Sequence, residues 1–386
     1  MKTSHNVFFK SAEGMDEVPN DSVELVVTSP PYPMIEMWDE DFARQEPRVA
    51  KALKQQDGPL AFSLMHQVLD VVWVELRRVL KPGGIACINI GDATRTLDGH
   101  FALYTNHARI LTALQELGFS SLPAILWRKQ TNAPNKFMGS GMLPSGAYVT
   151  LEHEYILVVR KGGKREFLKP AEKRLRRESA YFWEERNQWF SDVWMDLKGT
   201  TQRLGVDSQS VDPKARKRSG AFPFELPYRL ISMFSVKGDT VLDPFLGMGT
   251  TTAAAMAAGR HSIGYEIDRA LGKSIVTLPA NIVSFANQRI TQRLDDHIVF
   301  VGEREAKAGP LKYINNAYGF PVVTRQEIEL SLNMLISVAQ EEGTVFEVRY
   351  SEDPHYDVQG VQTSGATLAP TVWKNLKIGG SSRQRS

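Results

Sequence analysis

The chain has 386 residues, enough for one large domain with additions or for two domains, and its apolar fraction of 42% is ordinary for a globular protein. No apolar run reaches the length needed to cross a bilayer, and the first residues lack the apolar core of a signal peptide. The single cysteine, Cys87, cannot form an internal disulfide, which agrees with a reducing cytoplasm. The net charge of +2 gives by itself no sign of a nucleic-acid partner.

The first motif follows a predicted strand near the start of the chain. Residues 7–10 predict a short strand, and residues 23–27 predict a second strand that ends at Thr28-Ser29-Pro30-Pro31-Tyr32. Two consecutive prolines cannot continue a strand or begin a helix at Ser29, so the chain must turn there. The turn would present a hydroxyl, an unpaired proline carbonyl and an aromatic ring at the carboxyl end of a strand, where open α/β sheets bind ligands. Residues 33–58 have no clean period and are expected to form a mobile segment over the site.

The next elements alternate between helix and strand. Apolar residues recur at helical spacing over residues 64–79, and Lys81-Pro82-Gly83-Gly84 ends this helix. A buried strand, an amphipathic helix and two strands are predicted at residues 85–90, 106–118, 122–127 and 155–159. The long loop at residues 131–146 is expected to be functional or disordered. His153 could suggest metal binding or acid–base catalysis, but no partner His or Cys stands at ligand spacing, so a structural role is favoured.

Residues 160–218 carry an excess of positive charge. They contain 16 Lys or Arg and 9 Asp or Glu, whereas the rest of the chain has 30 basic and 35 acidic residues. This asymmetry is expected of a phosphate-contacting surface, although a solvated helix face would give the same charge. The interleaved aromatic residues could stack on bases, but a core role is favoured for most of the tryptophans. The candidate DNA contacts are Arg174, Arg176, Arg177, Arg216, Lys217 and Arg218.

The second motif is Val241-Leu242-Asp243-Pro244-Phe245-Leu246-Gly247-Met248-Gly249-Thr250-Thr251, which predicts a strand, a glycine turn and an alanine-rich helix. The following strand ends at Glu266, which lies 23 residues after Asp243, a spacing near that of nucleotide-binding βαβ units. An acid there can accept hydrogen bonds from both hydroxyls of a ribose. The two glycines let the backbone approach a ligand. Because Thr252 stands where a dinucleotide motif has its third glycine, a dehydrogenase is a poor fit.

The last part of the chain predicts a small α/β addition of unknown role. A helix runs through residue 290, and residues 298–301 and 345–348 are strand-like. Between them Thr324-Arg325-Gln326-Glu327 has the pattern of a capping box and predicts a helix. That helix would bury Ile328, Leu332, Leu335 and Val338. The final dozen residues are expected to be disordered.

Together the two motifs resemble the catalytic and cofactor motifs of the amino-directed DNA methyltransferases that use S-adenosylmethionine. Their order, with the Pro-Pro-Tyr motif first, is similar to that of the family's permuted β group. Residues 152–158 look like the strand that ends the family's catalytic half, and residues 221–227 loosely resemble its motif for the methionine end of the cofactor. The resemblance implies a circularly permuted, Rossmann-like α/β fold with a mostly parallel mixed sheet and a target-recognition insertion.

The resemblance implies a division of the chain into four parts. Residues 1–160 would form the catalytic half and residues 219–296 the cofactor-binding half of the methyltransferase domain. Residues 161–218 would be the target-recognition region, and residues 297–386 the C-terminal addition with its disordered tail. The implied cofactor is S-adenosylmethionine, and the residues that would bind it are Asp243, Pro244, Phe245, Gly247, Gly249, Thr250, Thr251 and Glu266.

The implied chemistry needs no metal and no covalent nucleophile. The catalytic residues would be Ser29, Pro30, Pro31 and Tyr32. The Ser29 hydroxyl and the Pro30 carbonyl would accept the two N–H groups of an exocyclic amine, while Tyr32 would stack on the flipped base. In this family a serine at the first motif position usually accompanies cytosine N4, whereas Asp or Asn usually accompanies adenine N6.

The sequence therefore predicts a site-specific DNA methyltransferase acting on cytosine N4, of restriction–modification type. Adenine-N6 methylation is the alternative within the class, and a non-catalytic DNA-binding module that keeps the fold is the alternative from another class. The expected partners are double-stranded DNA and a cognate restriction endonuclease. The expected location is the cytoplasm of a prokaryotic or phage-infected cell, at the nucleoid.

Overall fold

The computed structural model describes residues 1–129, 138–199, 222–341, 343–354 and 356. A ten-stranded mixed sheet forms the centre, and helices pack against both of its faces to make two apolar cores. The Rossmann-like α/β class predicted from the sequence is confirmed. None of the helices in these residues is long and apolar enough to span a membrane.

The strands of the described residues are numbered in chain order: β1 (Lys2–Phe8), β2 (Val23–Thr28), β3 (Leu80–Ile90), β4 (Ala93–Leu97), β5 (His100–Tyr104), β6 (Phe119–Arg128), β7 (Met138–Gly139), β8 (Ala147–Tyr148), β9 (His153–Lys161), β10 (Val193–Trp194), β11 (Thr240–Asp243), β12 (His261–Tyr265), β13 (Tyr313–Ile314), β14 (Pro321–Val322), β15 (Leu335–Gln340) and β16 (Val345–Tyr350).

The α-helices of the same residues are α1 (Asp39–Gln45), α2 (Arg48–Lys54), α3 (Gly58–Val79), α4 (Asn106–Glu116), α5 (Pro170–Glu178), α6 (Trp183–Trp189), α7 (Glu225–Phe234), α8 (Thr250–Ala258), α9 (Gly272–Val276) and α10 (Leu278–Ala308). Short 3₁₀ turns occur at Glu36–Trp38, Arg269–Leu271 and Arg325–Glu327.

The strand order of the main sheet puts β2 next to β11. The full order is β10-β6-β9-β3-β2-β11-β12-β1-β16-β15. The strands from β3 to β1 in this order are mutually parallel, β9 runs antiparallel between β3 and β6, and β16 and β15 extend the other edge in antiparallel pairs. The chain proceeds from β2 toward β3 and later resumes at β11 on the other side of β2. This change of direction creates a switch point, and ligands bind outside the carboxyl ends of the strands there.

Helix α8 is short because glycines bound it on both sides. Gly249 before it and Gly259 after it adopt left-handed conformations, with φ of +87° and +72°. Such conformations are strained for residues that carry a Cβ. The helix is buried along nearly its whole length. Its alanines therefore allow close packing against the sheet and against α7 and α10.

Residues 33–58, which show no clean period in the sequence, contain the helices α1 and α2. Phe42 in α1 and Val49 and Ala52 in α2 are buried. Each of these helices has seven residues. Two turns are too few to display a helical period in the sequence, so the pattern could not be recognised.

Two predictions for the C-terminal part are wrong. Residues 298–301 belong to α10, where Ile298 and Val301 face the buried side of a 31-residue helix. The capping box at Thr324 and Glu327 is present but opens only a 3₁₀ turn. Residues 335–340 form β15 instead of a helix. The β-branched residues of α10 pack into the core, and tertiary contacts there override their strand preference.

The strands after α10 belong to the main sheet. Strand β16 pairs with β1 from Lys2↔Arg349 to Asn6↔Val345, and β15 pairs with β16. The Asn287 side chain on α10 bonds both the N–H and the carbonyl of Leu335, at 2.8 and 2.9 Å. The boundary predicted at residue 297 thus falls inside α10, and the residues beyond it extend the sheet.

Residues 178–197 pack against the helices that follow them. Trp189 and Trp194 are buried, which confirms the core role favoured for most tryptophans of this segment. The guanidinium of Arg293 on α10 donates to both carboxylate oxygens of Glu185, at 2.5 and 2.7 Å. Arg293 is only 4% exposed. A buried ion pair therefore ties α6 to α10.

Replacing Arg293 with alanine should lower the free energy of unfolding by about 3–5 kcal/mol, because it leaves the carboxylate of Glu185 buried without its partner. Arg349→Ala is the matched control, since it removes an exposed pair with Glu347 and should cost at most about 1 kcal/mol. Denaturant unfolding measures both values. Equal costs for the two variants would contradict this role of Arg293.

Candidate active site

Asp243 joins the carboxyl ends of β2 and β11. Its two carboxylate oxygens accept hydrogen bonds from the hydroxyls of Thr28 and Thr251, each at 2.6 Å. A third bond comes from the backbone N–H of Phe245 at 3.0 Å. Burial raises the pKa of Asp243 to about 6, and the bonds from Thr251 and Thr28 oppose that rise. These bonds fix the Ser29 turn beside the glycine turn.

A pocket of about 330 Å³ opens between the two turns. Ser29, Pro30, Pro31 and Tyr32 line one side, and the other side is formed by Pro244, Phe245, Gly247 and Glu266. The Glu36–Trp38 turn and α1 contribute further lining, so the segment expected over the site does lie there. The structure therefore brings the two sequence motifs together, although more than two hundred residues separate them.

Glu266 follows β12 and presents its carboxylate to the pocket. Oε2 accepts the N–H of Gly247 at 2.7 Å, and Oε1 accepts the N–H of Asp268 at 2.7 Å. Burial raises the pKa of Glu266 to about 7, while these two backbone bonds oppose the rise. Each oxygen keeps a lone pair for a further donor, so the carboxylate can accept hydrogen bonds from two hydroxyls of one sugar.

Tyr32 is held through its hydroxyl. It donates to Oε2 of Glu154 at 2.9 Å and accepts from Nδ2 of Asn89 at 2.8 Å. The Ser29 hydroxyl lies 3.2 Å from the same oxygen. The other carboxylate oxygen of Glu154 accepts from Nζ of Lys129 at 2.9 Å. Burial raises the pKa of Tyr32 well above its ordinary value, and the charge of Glu154 adds to this effect.

Four of the predicted cofactor residues lie behind the pocket instead of lining it. Asp243 and Thr251 are bonded to each other, and Thr250 is buried at the start of α8. A Cβ added at Gly249 would lie 2.7 Å from Cδ1 of Leu278, so Gly249 backs onto α10. The helix begins directly after the glycine turn and directs these residues toward the protein interior.

The arginines on α5 that were predicted to contact DNA lie at the amino ends of the strands, whereas the pocket lies at the carboxyl ends. Just before α5, Arg165 bonds Asp239 at 2.6 Å, and just after it the Ser179 hydroxyl accepts the N–H of Lys237 at 2.9 Å. Asp239 and Lys237 precede β11, whereas the pocket lies after it. Helix α5 is therefore anchored at the amino ends of the strands.

Each of these arginines also has a partner within the chain. Arg174 lies 3.5 Å from Glu178, and Arg177 lies 2.9 Å from Glu329. The guanidinium of Arg176 covers the ring of Phe167 at 4.8 Å. The structure does not bring them to the pocket. The other three predicted contacts, Arg216, Lys217 and Arg218, lie outside the described residues.

Sequence reasoning gave no role to Asn89, Lys129 or Glu154. Asn89 is an amide within an apolar strand, and Glu154 is an acid near the start of another. Buried polar residues need partners, so their position in such strands was the available signal. The partners themselves come from three different elements and could not be inferred from spacing.

In the part of the chain that the structure describes, His153 does not belong to a cluster of metal-ligating groups. Its ring packs edge-on against Tyr155 with centroids 4.9 Å apart. Among the described residues, Glu184, His297 and Glu327 place their ligand atoms within 4.8 Å of one another. Both ring nitrogens of His297 are already bonded, to Glu184 at 2.8 Å and to the carbonyl of Pro321 at 3.0 Å. This group therefore joins α10 to its neighbours.

Comparison with known proteins agrees with the fold and the pocket. A family model described as DNA methylase matches residues 23–276. The Type II methyltransferase M.MthZI of Methanothermobacter thermautotrophicus is 49% identical over 353 residues, which cover 91% of this chain and 96% of that protein. M.MjaI of Methanocaldococcus jannaschii, also a Type II methyltransferase, is 51% identical over 280 residues, covering 70% of this chain and 89% of that protein.

A solved structure gives the same result. The putative DNA modification methylase TTHA0409 of Thermus thermophilus, in complex with S-adenosyl-L-methionine, aligns with a TM-score of 0.53 and 29% identity over 75% of this chain and 95% of its own. The sheet order and the pocket at its switch point define a Rossmann-like methyltransferase that uses S-adenosylmethionine. The chain belongs to the DNA methylase family, and its substrate is DNA.

The raised pKa of Glu266 predicts a pH-dependent stability. Between its ordinary value of 4.5 and about 7, the folded state binds more protons at this group than the unfolded state does. Stability must therefore fall as the pH rises through this window, by roughly 3 kcal/mol from this group. Glu266→Gln should remove that part of the dependence. Unfolding by denaturant at pH 5 and pH 8 compares the two proteins, and equal pH dependences would contradict the prediction.

Proposed function

We propose that this chain methylates the exocyclic N4 of a flipped cytosine at a specific DNA site, as part of a restriction–modification system. The observation that carries the proposal is the single pocket shared by the Ser29–Tyr32 turn and the Glu266 carboxylate. A base amine and a methyl donor bound on its two sides would meet between β2 and β11. The names of the relatives M.MthZI and M.MjaI support the restriction–modification context and a cognate endonuclease as partner.

The cofactor side of the pocket fits an adenosyl group. Glu266 provides acceptors for two ribose hydroxyls, while Phe245 and Ile267 supply apolar surface for a purine ring. Gly247 has φ of +59° and carries no Cβ that could obstruct the ligand. When bound, S-adenosylmethionine supplies a methyl group activated by its sulfonium. We assign Pro244, Phe245, Gly247 and Glu266 to its binding, and Asp243 to the support of the turn.

The base side of the pocket suits an exocyclic amine. Such an amine is a weak nucleophile because its lone pair is delocalised into the ring. Acceptors at Ser29 Oγ and the Pro30 carbonyl would bind its two N–H groups and orient the lone pair toward the methyl carbon. The amine nitrogen would bond the methyl carbon as the carbon–sulfur bond breaks, the bonding pair would stay with the sulfur, and the extra proton on the nitrogen would be released to solvent. Tyr32 would stack on the base.

The DNA-contacting surface is proposed on the pocket side of the sheet. Gly199, the last described residue before position 200, lies beside Lys129 at the pocket edge, where its added Cβ would meet Cγ of Lys129 at 2.6 Å. Of the six basic residues predicted to contact phosphates, we propose Arg216, Lys217 and Arg218 as DNA contacts. We retain residues 161–218 as the target-recognition region.

DNA from a host that expresses this protein should contain N4-methylcytosine and no N6-methyladenine. Ser29 offers a neutral acceptor, whereas an aspartate would make a stronger, charge-assisted bond to the amine. Mass spectrometry of digested DNA measures both products. Ser29→Ala is the matched control and should lose the modification while S-adenosylmethionine binding stays unchanged.

Two results would contradict this assignment in different ways. If N6-methyladenine appears, the chain is an adenine-N6 methyltransferase and the base assignment is wrong. If neither product appears with any DNA while S-adenosylmethionine still binds, the chain is a non-catalytic DNA-binding module.

Binding of S-adenosylmethionine should release a proton from Glu266. Hydroxyl donors on the ribose favour the ionised carboxylate, so binding should lower its pKa from about 7 and strengthen as the pH rises through that value. Calorimetry in two buffers of different ionisation enthalpy should show a release of roughly half a proton at pH 7. Glu266→Gln should bind more weakly and lack this component. A release that is identical in the variant would overturn the role of Glu266.

A further inference from the structure

Five polar side chains form a hydrogen-bonded network that runs from Lys129 to Ser29. Nζ of Lys129 bonds Oε1 of Glu154, and Oε2 of Glu154 bonds the Tyr32 hydroxyl at 2.9 Å. Nδ2 of Asn89 contacts both the Tyr32 hydroxyl and Oε2 of Glu154, at 2.8 and 2.7 Å. The network ends at the Ser29 hydroxyl, which lies 3.2 Å from the Tyr32 oxygen. None of the roles assigned above uses the carboxylate of Glu154, which lines the pocket beside Tyr32.

The direction of every hydrogen bond in this network follows from the carboxylate of Glu154. An ionised carboxylate only accepts, so Tyr32 must donate its single proton to Glu154. The raised pKa of Tyr32 keeps that proton on the phenol. The phenol oxygen then has only its lone pairs left, and it accepts from Asn89 and from Ser29. The hydroxyl proton of Ser29 is therefore directed at the Tyr32 oxygen and is not available to a ligand in the pocket.

This direction matters because a hydroxyl can donate as well as accept. If the proton of Ser29 pointed into the pocket, it would bond the lone pair of the target amine, which is the electron pair that must attack the methyl carbon. With the proton committed to Tyr32, the oxygen of Ser29 presents only lone pairs to the amine and accepts one of its N–H groups.

We infer that Glu154 is a positioning residue that acts through the Tyr32 hydroxyl to make Ser29 a hydrogen-bond acceptor toward the target amine. The inference rests on the proposed role of Ser29 in binding that amine, and it holds whichever base carries the amine. Glu154 also lines the pocket, so direct contact with the substrate is the competing role, and the test must separate the two.

The ring of Tyr32 is fixed well enough to transmit this effect. A Cβ added at Gly91, just after β3, would lie 2.9 Å from Cε2 of Tyr32, so the backbone of Gly91 packs directly against the ring. The hydroxyl is held by Glu154 and Asn89 at the other end. Lys129 supplies a positive charge at the far carboxylate oxygen, and its Nζ also lies 5.4 Å from the ring centre of Trp127. Neither the phenol nor the carboxylate is free to reorient.

The test is a double-mutant cycle of Glu154→Gln and Tyr32→Phe. In Glu154→Gln an amide N–H must face either the ammonium of Lys129 or the donors of Asn89 and Tyr32, which disturbs the bond directions. Tyr32→Phe keeps the ring and its stacking but removes the acceptor for the proton of Ser29. Glu152→Gln is the matched control, because Glu152 is an exposed carboxylate two residues away that pairs with Arg128.

The measured quantity is the single-turnover rate of methyl transfer to unmethylated genomic DNA with radiolabelled S-adenosylmethionine, which isolates chemistry from binding. Calorimetry of S-adenosylmethionine and the melting temperature are recorded for each variant. Glu154→Gln and Tyr32→Phe should each slow transfer by about tenfold, as expected for one misdirected hydrogen bond in the transition state. Cofactor affinity and melting temperature should stay near those of the wild type, and Glu152→Gln should transfer at the wild-type rate.

The double variant decides the mechanism. If Glu154 acts through the hydroxyl of Tyr32, its replacement should slow the Tyr32→Phe protein by no more than about twofold, whereas independent roles would multiply to about a hundredfold. Multiplying effects, or full activity in Glu154→Gln, would overturn the inference while the proposed function stands. A loss of stability or cofactor affinity in Glu154→Gln that accounts for its slower transfer would also overturn it. A wild-type protein that transfers no methyl group would instead overturn the proposed function, and the inference with it.

Discussion

The structure depends on one buried carboxylate. Asp243 accepts hydrogen bonds from Thr28, 215 residues earlier in the chain, and from Thr251 in the following helix. Burial makes an unsatisfied acceptor costly, so the three groups must stay together. The two turns that form the pocket leave the sheet from strands that meet only in the folded chain. The hydrogen bonds of Asp243 set the relative position of these two turns. An error of about 1 Å in the placement of reacting groups can lower a rate by about two orders of magnitude.

Much of the fold and half of the site could be predicted from local patterns. The prolines after β2 and the glycines after β11 each mark the end of a buried strand, and carboxyl ends of parallel strands meet at one edge of a sheet. For this reason Ser29, Tyr32, Gly247 and Glu266 could be placed at the same end of the sheet, where the structure shows one shared pocket. Helix α3 was predictable from the helical period of its apolar stripe, and α8 was predictable from its run of alanines after the glycine turn.

The remainder depends on contacts between distant parts of the chain. Glu154 meets Asn89 and Tyr32 across 65 and 122 residues, and no spacing rule connects them. Thr250 and Thr251 follow the glycine turn in sequence, yet the start of α8 directs them inward. The positive charge of α5 predicted an exposed helix, but it could not predict whether that helix lies at the amino or the carboxyl ends of the strands. In α10, packing decided the conformation of Ile298 and Val301 against their intrinsic preference.

The position of β1 has a consequence for the synthesis of the protein. This strand lies between β12 and β16, and its residue His5 pairs with Ser262 on one side and Phe346 on the other. Both neighbours leave the ribosome after more than two thirds of the chain has been made. Until then the backbone N–H and C=O groups on both sides of β1 have no strand to pair with. Contacts between residues so far apart in sequence also form slowly. A growing chain thus exposes the Pro-Pro-Tyr turn long before its sheet is closed, and β1 has both of its neighbours only after residue 350 has left the ribosome.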